Sequence, residues 1–600
     1  NADSSAVVFN VSSLFVDNVP ELAPISKMSS GMISISATPK SELFSLGEMK
    51  AFEDNVSIAT NTTHSVSASL FIFTINLGDV SNKVTRTVLL LPEDKDRMKP
   101  RISDSRIGIF LTGKQRISTE EDGIQSYTFA NRWRLEPKDM RAWERGELVE
   151  PVKPIVWYVD NTFPEGWKEP IRKAVLRWNQ AFEKIGFKDA VQVRDFPTDD
   201  PEFDPENLKY SCVRYAPIGI ENAMGPSWID PNFDPDNLKY SCIRYSPVKT
   251  MNAMGPSWVD PKTGEIINAS VLVYNDVVKL NNMWRFTQTA QIDPRVRAKK
   301  MPKEVMDESL EYVVAHEIGH TLGFMHNMAA SASYPVDSLR SASFTQKYGT
   351  TPCIMDYARF NYVAQPGDKG VKLTPPDLGV YDYFLVKWNY QPIPQAKDIW
   401  EEQATLESWV DEKAGDPRFR YGRQQILSRY DPSAIEEDLG DDPIKASTYG
   451  IKNLKYILNH LNEWISDDAD FSHRKQLYEN IQMQYTRYLL NVLYQVGGIY
   501  LSQVKDGTAG EAVKSVACAK QKEALAWVLK ELRNCSWIDR PELINQTGLA
   551  VYPSAKIIAA VSKAIESKRA MVILSSHVSR DKNLYTIGDY YDDLYAGVFA

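Results

Sequence analysis

The spacing of apolar residues divides the chain into three stretches. Up to about residue 150 the apolar residues come in short β-branched runs separated by polar turns. Ser65–Phe73 and Val84–Leu90 are the clearest, and both predict strands. Near Pro151 the pattern changes. Ile155–Val159 reads as a strand. Trp167, Ile171, Ala174, Val175, Trp178, Ala181, Phe182 and Ile185 then recur at helical spacing, which predicts a helix from about Trp167 to Ile185 capped by Gly186. Ala190–Val193 is the next strand, so a crossover unit with parallel strands is expected. Ile266–Tyr274 predicts another strand, and residues 303–322 a helix. Beyond about residue 400 helical stripes dominate. Ile451, Leu454, Leu458, Leu461 and Ile465 share one face, and Leu477, Ile481, Tyr488, Val492 and Val496 another. Their simplest use is packing between helices.

One internal repeat interrupts this order. Phe203–Asn232 and Phe233–Lys262 are tandem copies with a 30-residue period. Two copies are too few for a solenoid, so the expected result is a duplicated strand-turn unit. The acidic run Asp199–Glu206 lacks the ligand spacing of a calcium loop, and a solvated loop is expected there.

Composition narrows the function classes. A net charge of -9 and a pI near 5.5 leave no global basic field to recruit nucleic acid or an anionic membrane surface. No apolar run approaches the roughly 20 residues of a membrane-spanning helix. The N-terminus shows no charged-then-apolar signal segment, so either none exists or it was removed before this numbering begins. Five scattered cysteines, none at Cys-x-x-Cys spacing, fit neither a disulfide framework nor a cysteine zinc site. Cys518 and Cys535 are expected to be free buried thiols rather than a pair.

The candidate chemistry lies in Val314–His326. On a helix, residues four apart lie one turn apart on the same face, so His316 and His320 can aim at one ion. Glu317, in the same turn, can face a water on that ion. A catalytic zinc needs a third protein ligand and an open position. Gly323 can take a positive φ and turn the chain, which returns His326 to the metal. Three of the seven histidines fall within this segment, whereas His64, His460, His473 and His577 stand alone. One catalytic zinc ion is therefore expected.

At these residues the chain resembles the metzincin clan of metallopeptidases. Ile354–Tyr357 resembles the methionine turn of that clan, which implies Met355 as an apolar floor beneath the imidazoles. Tyr357 matches a tyrosine that some metzincins place near the metal, as a further ligand or an oxyanion donor. Leu373–Val380 resembles the start of the last catalytic helix, with Thr374 as N-cap, Pro375 in the first turn and Asp377 at the positive end. The wider match is to the large bacterial Met-zincin family, on the β-rich N-terminal part, Pro154–Asp160 and Tyr449–Lys455.

The resemblance implies an α/β (α+β) metzincin-like catalytic domain at 151–395, with a mixed sheet and an active-site helix. A β-rich domain at 1–150 and a helical domain at 396–600 would flank it. It also implies an exported bacterial protein, periplasmic or at the cell surface, that hydrolyses polypeptides. Substrate would add to an edge strand within 241–257, where Asn252, Ala253, Met254 and Gly255 offer backbone groups. Two features depart from the pattern: Asn327 after the third histidine, and the tandem repeat. A cysteine switch is discounted because the first cysteine is Cys212, while aspartates such as Asp104 remain candidate blockers. Two other readings stay open: a binding protein with structural zinc, and a zinc hydrolase of a non-peptide bond. Neither the natural substrate nor the oligomeric state is legible.

Overall fold

Period-two alternation folds the N-terminal stretch into antiparallel strands. In the computed structural model, which describes residues 10, 12, 28–30, 33–70, 73–117, 123–161, 163–195, 212–215, 242–246, 253–254, 257–274, 276–374, 377–426, 428–580 and 582–599, a long hairpin pairs Asn55–Leu70 with Phe73–Leu89. Ile33–Pro39 and Ser45–Ala51 flank its first arm. The strand expected at Ser65–Phe73 is therefore two strands. Leu70 ends one and Phe73 opens the return, because an unbroken apolar run carries no mark of the reversal. Phe71 and Ile72 lie outside the described residues.

The central sheet runs in the order Ala253–Met254, Ile266–Tyr274, Cys242–Ser246, Cys212–Tyr215, Ile155–Val159, Val191–Asp195. Its inner strands are parallel, with Ile155 opposite Val191. The crossover is two helices, Glu165–Leu176 and Asn179–Glu183, not the single one expected. The break falls at Trp178, whose buried indole donates to the carbonyl of Ala315 at 3.0 Å and so docks on the next helix. Gly186 takes φ +90° where the cap was expected. The first repeat copy supplies the strand Cys212–Tyr215 and the second supplies Cys242–Ser246, Ala253–Met254 and Ser257–Val259. The matching strands of the two copies lie side by side with Arg214 opposite Arg244. The rest of the repeat, and the acidic run Asp199–Glu206, lie largely or wholly outside the described residues.

The helix Lys303–Thr321 packs against both the sheet and the crossover helix. Val314, Ala315 and Ile318 are fully buried, so its last turns are enclosed on most sides. The surrounding core also takes in Ile107, Ile109, Ala130, Trp133 and Leu135 from before Pro151. Trp133 donates from its indole to the carbonyl of Thr321 at 2.8 Å. A second core unites the helices Pro443–Trp464, Ser472–Leu493, Cys518–Arg533 and Pro553–Val578. Phe286, Val305 and Tyr362 reach into it from upstream. Cys353, Cys518 and Cys535 are free buried thiols. Among the described residues no helix is long and apolar enough to cross a membrane.

The helix expected to start at Thr374 begins instead at Val380, after Gly379 as N-cap. Pro375 and Pro376 lie outside the described residues. The capping carboxylate is Asp382, fully buried, which accepts from the Gly379 N–H at 2.7 Å and the Ile354 N–H at 2.8 Å. The Cys353 thiol donates to its other oxygen at 3.1 Å. One side chain thus fixes the helix start and the methionine turn together. Asp382→Ala leaves two buried N–H groups without an acceptor. The expected loss of stability is about 3 kcal/mol, read from denaturant midpoints; a loss under about 1 kcal/mol would mean that the turn finds other partners.

Candidate metal centre

The motif helix ends where the sequence places its glycine. Leu322 is the C-cap and Gly323 adopts φ +91°, a backbone state that costs glycine little. A side chain there would also meet the carbonyl of Asn131. Past this turn Ile109 bridges to Phe324, and Phe110 donates its N–H to the carbonyl of Gly323 at 2.8 Å. Chain from before Pro151 therefore holds the turn from outside, with the Phe110 ring 5.9 Å from that of His320.

The turn brings the three histidines together. The Nε2 atoms of His320 and His326 are 3.0 Å apart, and those of His326 and His316 are 3.2 Å apart. Each Nδ1 faces an oxygen: the carbonyl of Ile354 at 2.8 Å from His316, the carbonyl of Phe324 at 2.8 Å from His320, and Oε1 of Gln424 at 3.0 Å from His326. These oxygens only accept, so each Nδ1 carries the proton and each Nε2 keeps its lone pair. Three mutually facing lone pairs have no proton to share, and a cation is what they lack. For a tetrahedral ion at about 2.05 Å from each nitrogen, the nitrogens would be about 3.3 Å apart, close to the separations present. The site fits zinc. The three histidines are also the group of potential metal ligands found among the described residues.

Burial sets the protonation. It holds the His316 imidazole well below its ordinary value, with His320 and His326 adding to the effect. It pushes His320 down to about 3 and His326 down to about 4. All three are neutral, as ligation requires. Glu317 is 7 % exposed, and burial pushes its carboxyl up to about 8 against the opposing charge of Arg359. Tyr357 lies with its ring 5.4 Å from that of His316 and 4.5 Å from that of His326. Burial raises its phenol above the ordinary value. The Arg359 guanidinium stacks 4.3 Å from the Tyr357 ring and 3.9 Å from the Trp284 ring.

Met355 is fully buried against the motif helix. A Cβ on Gly319 would strike its sulfur and come within 2.9 Å of Trp178. Glycine at 319 thus lets the methionine turn close under the histidines. Of the four residues expected at the substrate edge, Ala253 and Met254 form a short strand antiparallel to Ile266–Tyr274 at the end of the sheet. Asn252 and Gly255 lie outside the described residues. The carboxylate of Asp104 is held by Arg106 at 2.6 Å. His460 pairs through Nδ1 with the carbonyl of Tyr456, and stacks on Trp464, far along the chain from the centre.

Several site residues carried no sequence signal. Gln424, Arg359 and Asp382 are single polar residues without a motif, and the first lies past the boundary expected at residue 395.

Fold and site together define a protein with a three-histidine metal centre on a helix backed by a methionine turn. Residues 298–600, half of the chain, match the Met-zincin family, and the chain belongs to that family, a metzincin-type zinc metallopeptidase family. The match runs unbroken across residue 395, so it takes in the loop that carries Gln424 and the helices beyond. Residues 1–138 match a domain of unknown function (DUF5117). No curated protein and no solved structure matches the chain.

Gly319→Ala is expected to lower stability by about 1–3 kcal/mol by overpacking Met355, and to reduce zinc content. Thermal melts and metal analysis check this; an unchanged protein would mean that Met355 is not seated there. A second expectation concerns pH. In the metal-free protein the folded imidazoles titrate below the unfolded value of 6.5, so the unfolded chain binds the extra protons. Their contribution to stability is complete above 6.5 and is lost as pH falls toward about 4. Between those limits His320→Gln should lose stability less steeply than the parent chain, measured by denaturant titration. Equal slopes would show that His320 is not desolvated.

Proposed function

We propose that the protein is a zinc-dependent endopeptidase with His316, His320 and His326 as ligands and Glu317 as general base. The convergence of three unprotonated Nε2 atoms beside a buried carboxyl carries this reading. Bound zinc supplies a Lewis acid and brings the pKa of water near neutrality. Glu317, its basicity raised by burial, takes the proton of the attacking water and passes it to the leaving amine. Tyr357, beside the histidines, donates its hydroxyl to the developing oxyanion. Met355 and Gly323 hold the imidazoles in place rather than touching substrate.

The edge we assign to substrate is the strand Ala253–Met254. Among the described residues it ends the sheet, and the motif helix packs against it. An extended peptide adding there would run along the metal helix. A cavity of about 610 Å³ lined in part by Ile107, Phe110, Met325 and Gln424 leaves room for apolar side chains next to the third histidine. A purely structural zinc site would be closed by a fourth protein ligand. Among the described residues the histidine group has three members, and Glu317 stands next to it.

Glu317→Gln is expected to keep zinc and to lose chelator-sensitive cleavage of denatured casein by roughly 10²–10⁴-fold. Near-normal turnover would remove Glu317 from the base role. Retained zinc without any cleavage by the parent chain, of casein or of a peptide library, would leave the non-peptide hydrolase or the binding protein as the better reading.

A further inference from the structure

Asn327 is fully buried, and its side chain fastens a distant loop to the third histidine. Its Nδ2 donates to the carbonyl of Arg420 at 3.0 Å, and its Oδ1 accepts from the Gly422 N–H at 2.8 Å. Met328 donates its N–H to the carbonyl of Gly422 at 2.8 Å. These contacts carry Gln424 alongside His326. The two ends of the Gln424 amide then face different groups. Oε1 lies 3.0 Å from His326 Nδ1, and Nε2 donates to Oε1 of Glu436 at 3.2 Å. The second oxygen of Glu436 pairs with the Arg429 guanidinium at 2.7 Å. An ionised carboxylate only accepts, so it turns the NH₂ toward itself and the amide oxygen toward the imidazole. That oxygen in turn accepts, so the proton of His326 stays on Nδ1 and its Nε2 lone pair points at the other two histidines.

We propose that Gln424, oriented by Glu436, is a positioning residue that fixes the tautomer and aim of His326 and so sets the zinc affinity of the site. This rests on the zinc-site reading above. The segment carrying Glu436 is itself anchored to the opposite wall. Glu437 donates its N–H to the carbonyl of Tyr357 at 3.0 Å, and its carboxylate faces Arg359 and Arg487 at 3.6 and 3.2 Å. Asp438 accepts from the Ser331 hydroxyl at 2.8 Å, and Ser331 donates its N–H to Asp356 at 2.6 Å. Three consecutive acidic residues thus hold the third histidine, the tyrosine and the methionine turn from one strip of chain. A metal-bound imidazole whose other nitrogen is so held is a better ligand and pays less orientational entropy on binding.

Zinc dissociation constants of the full chain, measured by chelator competition, test the proposal. Gln424→Met keeps volume and removes the acceptor; it should weaken zinc binding about 10–100-fold, while the melting temperature of the metal-free protein changes little. Glu436→Gln should weaken it less, and Gln424→Met with Glu436→Gln together should be no weaker than Gln424→Met alone. In cobalt-substituted protein the ligand-field absorption should shift in Gln424→Met. Affinity within about twofold of the parent chain in Gln424→Met, with zinc lost in His326→Ala, would overturn the proposal and leave the zinc site standing. Unchanged zinc in His326→Ala would instead overturn the ligand assignment on which it rests. If Gln424→Met does not fold, Glu436→Gln decides: unchanged affinity and an unchanged cobalt spectrum overturn the proposal, and a loss supports it.

Discussion

Three imidazole protons committed outward are the constraint on which this molecule turns. Each Nδ1–H is spent on an oxygen from a different stretch: Phe324 in the glycine turn, Ile354 in the methionine turn, and Gln424 in a loop about a hundred residues later. The lone pairs left behind face one another inside a desolvated pocket. In isolation that arrangement is unfavourable, so the surrounding cores have to impose it. A divalent cation turns the same arrangement into a binding site.

The packing around the centre shows how it is imposed. Gly319 gives up a side chain so that Met355 and Trp178 can close on the helix. Gly323 gives the chain its turn, and Ile109 and Phe110 clamp that turn by backbone pairing. Asp382 ties the methionine turn to the following helix through two N–H groups. None of these contacts touches a metal, yet each removes a freedom that one of the histidines would otherwise have. The buried residues Ile107 to Leu135 make the N-terminal chain part of the same core as the motif helix, so the site is not the property of one contiguous segment.

Electrostatics follow from the same burial. The pocket lowers the imidazoles and raises Glu317, which leaves neutral ligands beside a basic carboxyl. Arg359 sits in the opposite wall between Trp284 and Tyr357 and offsets part of the cost of keeping a carboxylate there. Its backbone takes φ +58°, uncommon for an arginine, and its partner Glu437 takes φ +59°. Strained backbone at two facing residues beside the histidine centre is what a wall held by several independent contacts can sustain.

The chemistry of the centre was legible because its spacing is local. His316, Glu317, His320, Gly323 and His326 fall within eleven residues, where helix geometry and one glycine turn bring the side chains together. Ile155–Val159 and the motif helix were legible for the same reason, since a period of two or of 3.6 is written in adjacent residues. The break at Trp178, the reversal after Leu70 and the helix start at Val380 were not, because each is chosen by a partner far away in sequence: Ala315, the facing hairpin arm, and the peptide of Ile354. Gln424 and Glu436 were silent altogether. A lone amide and a lone carboxylate have no periodicity, and contacts from residues distant in sequence, Asn327 and Met328 for one and Tyr357 for the other, bring them to His326. Sequence fixes which atoms can bind a metal; the tertiary fold decides where their protons go, because a hydrogen-bond acceptor acts through distance in space and not along the chain.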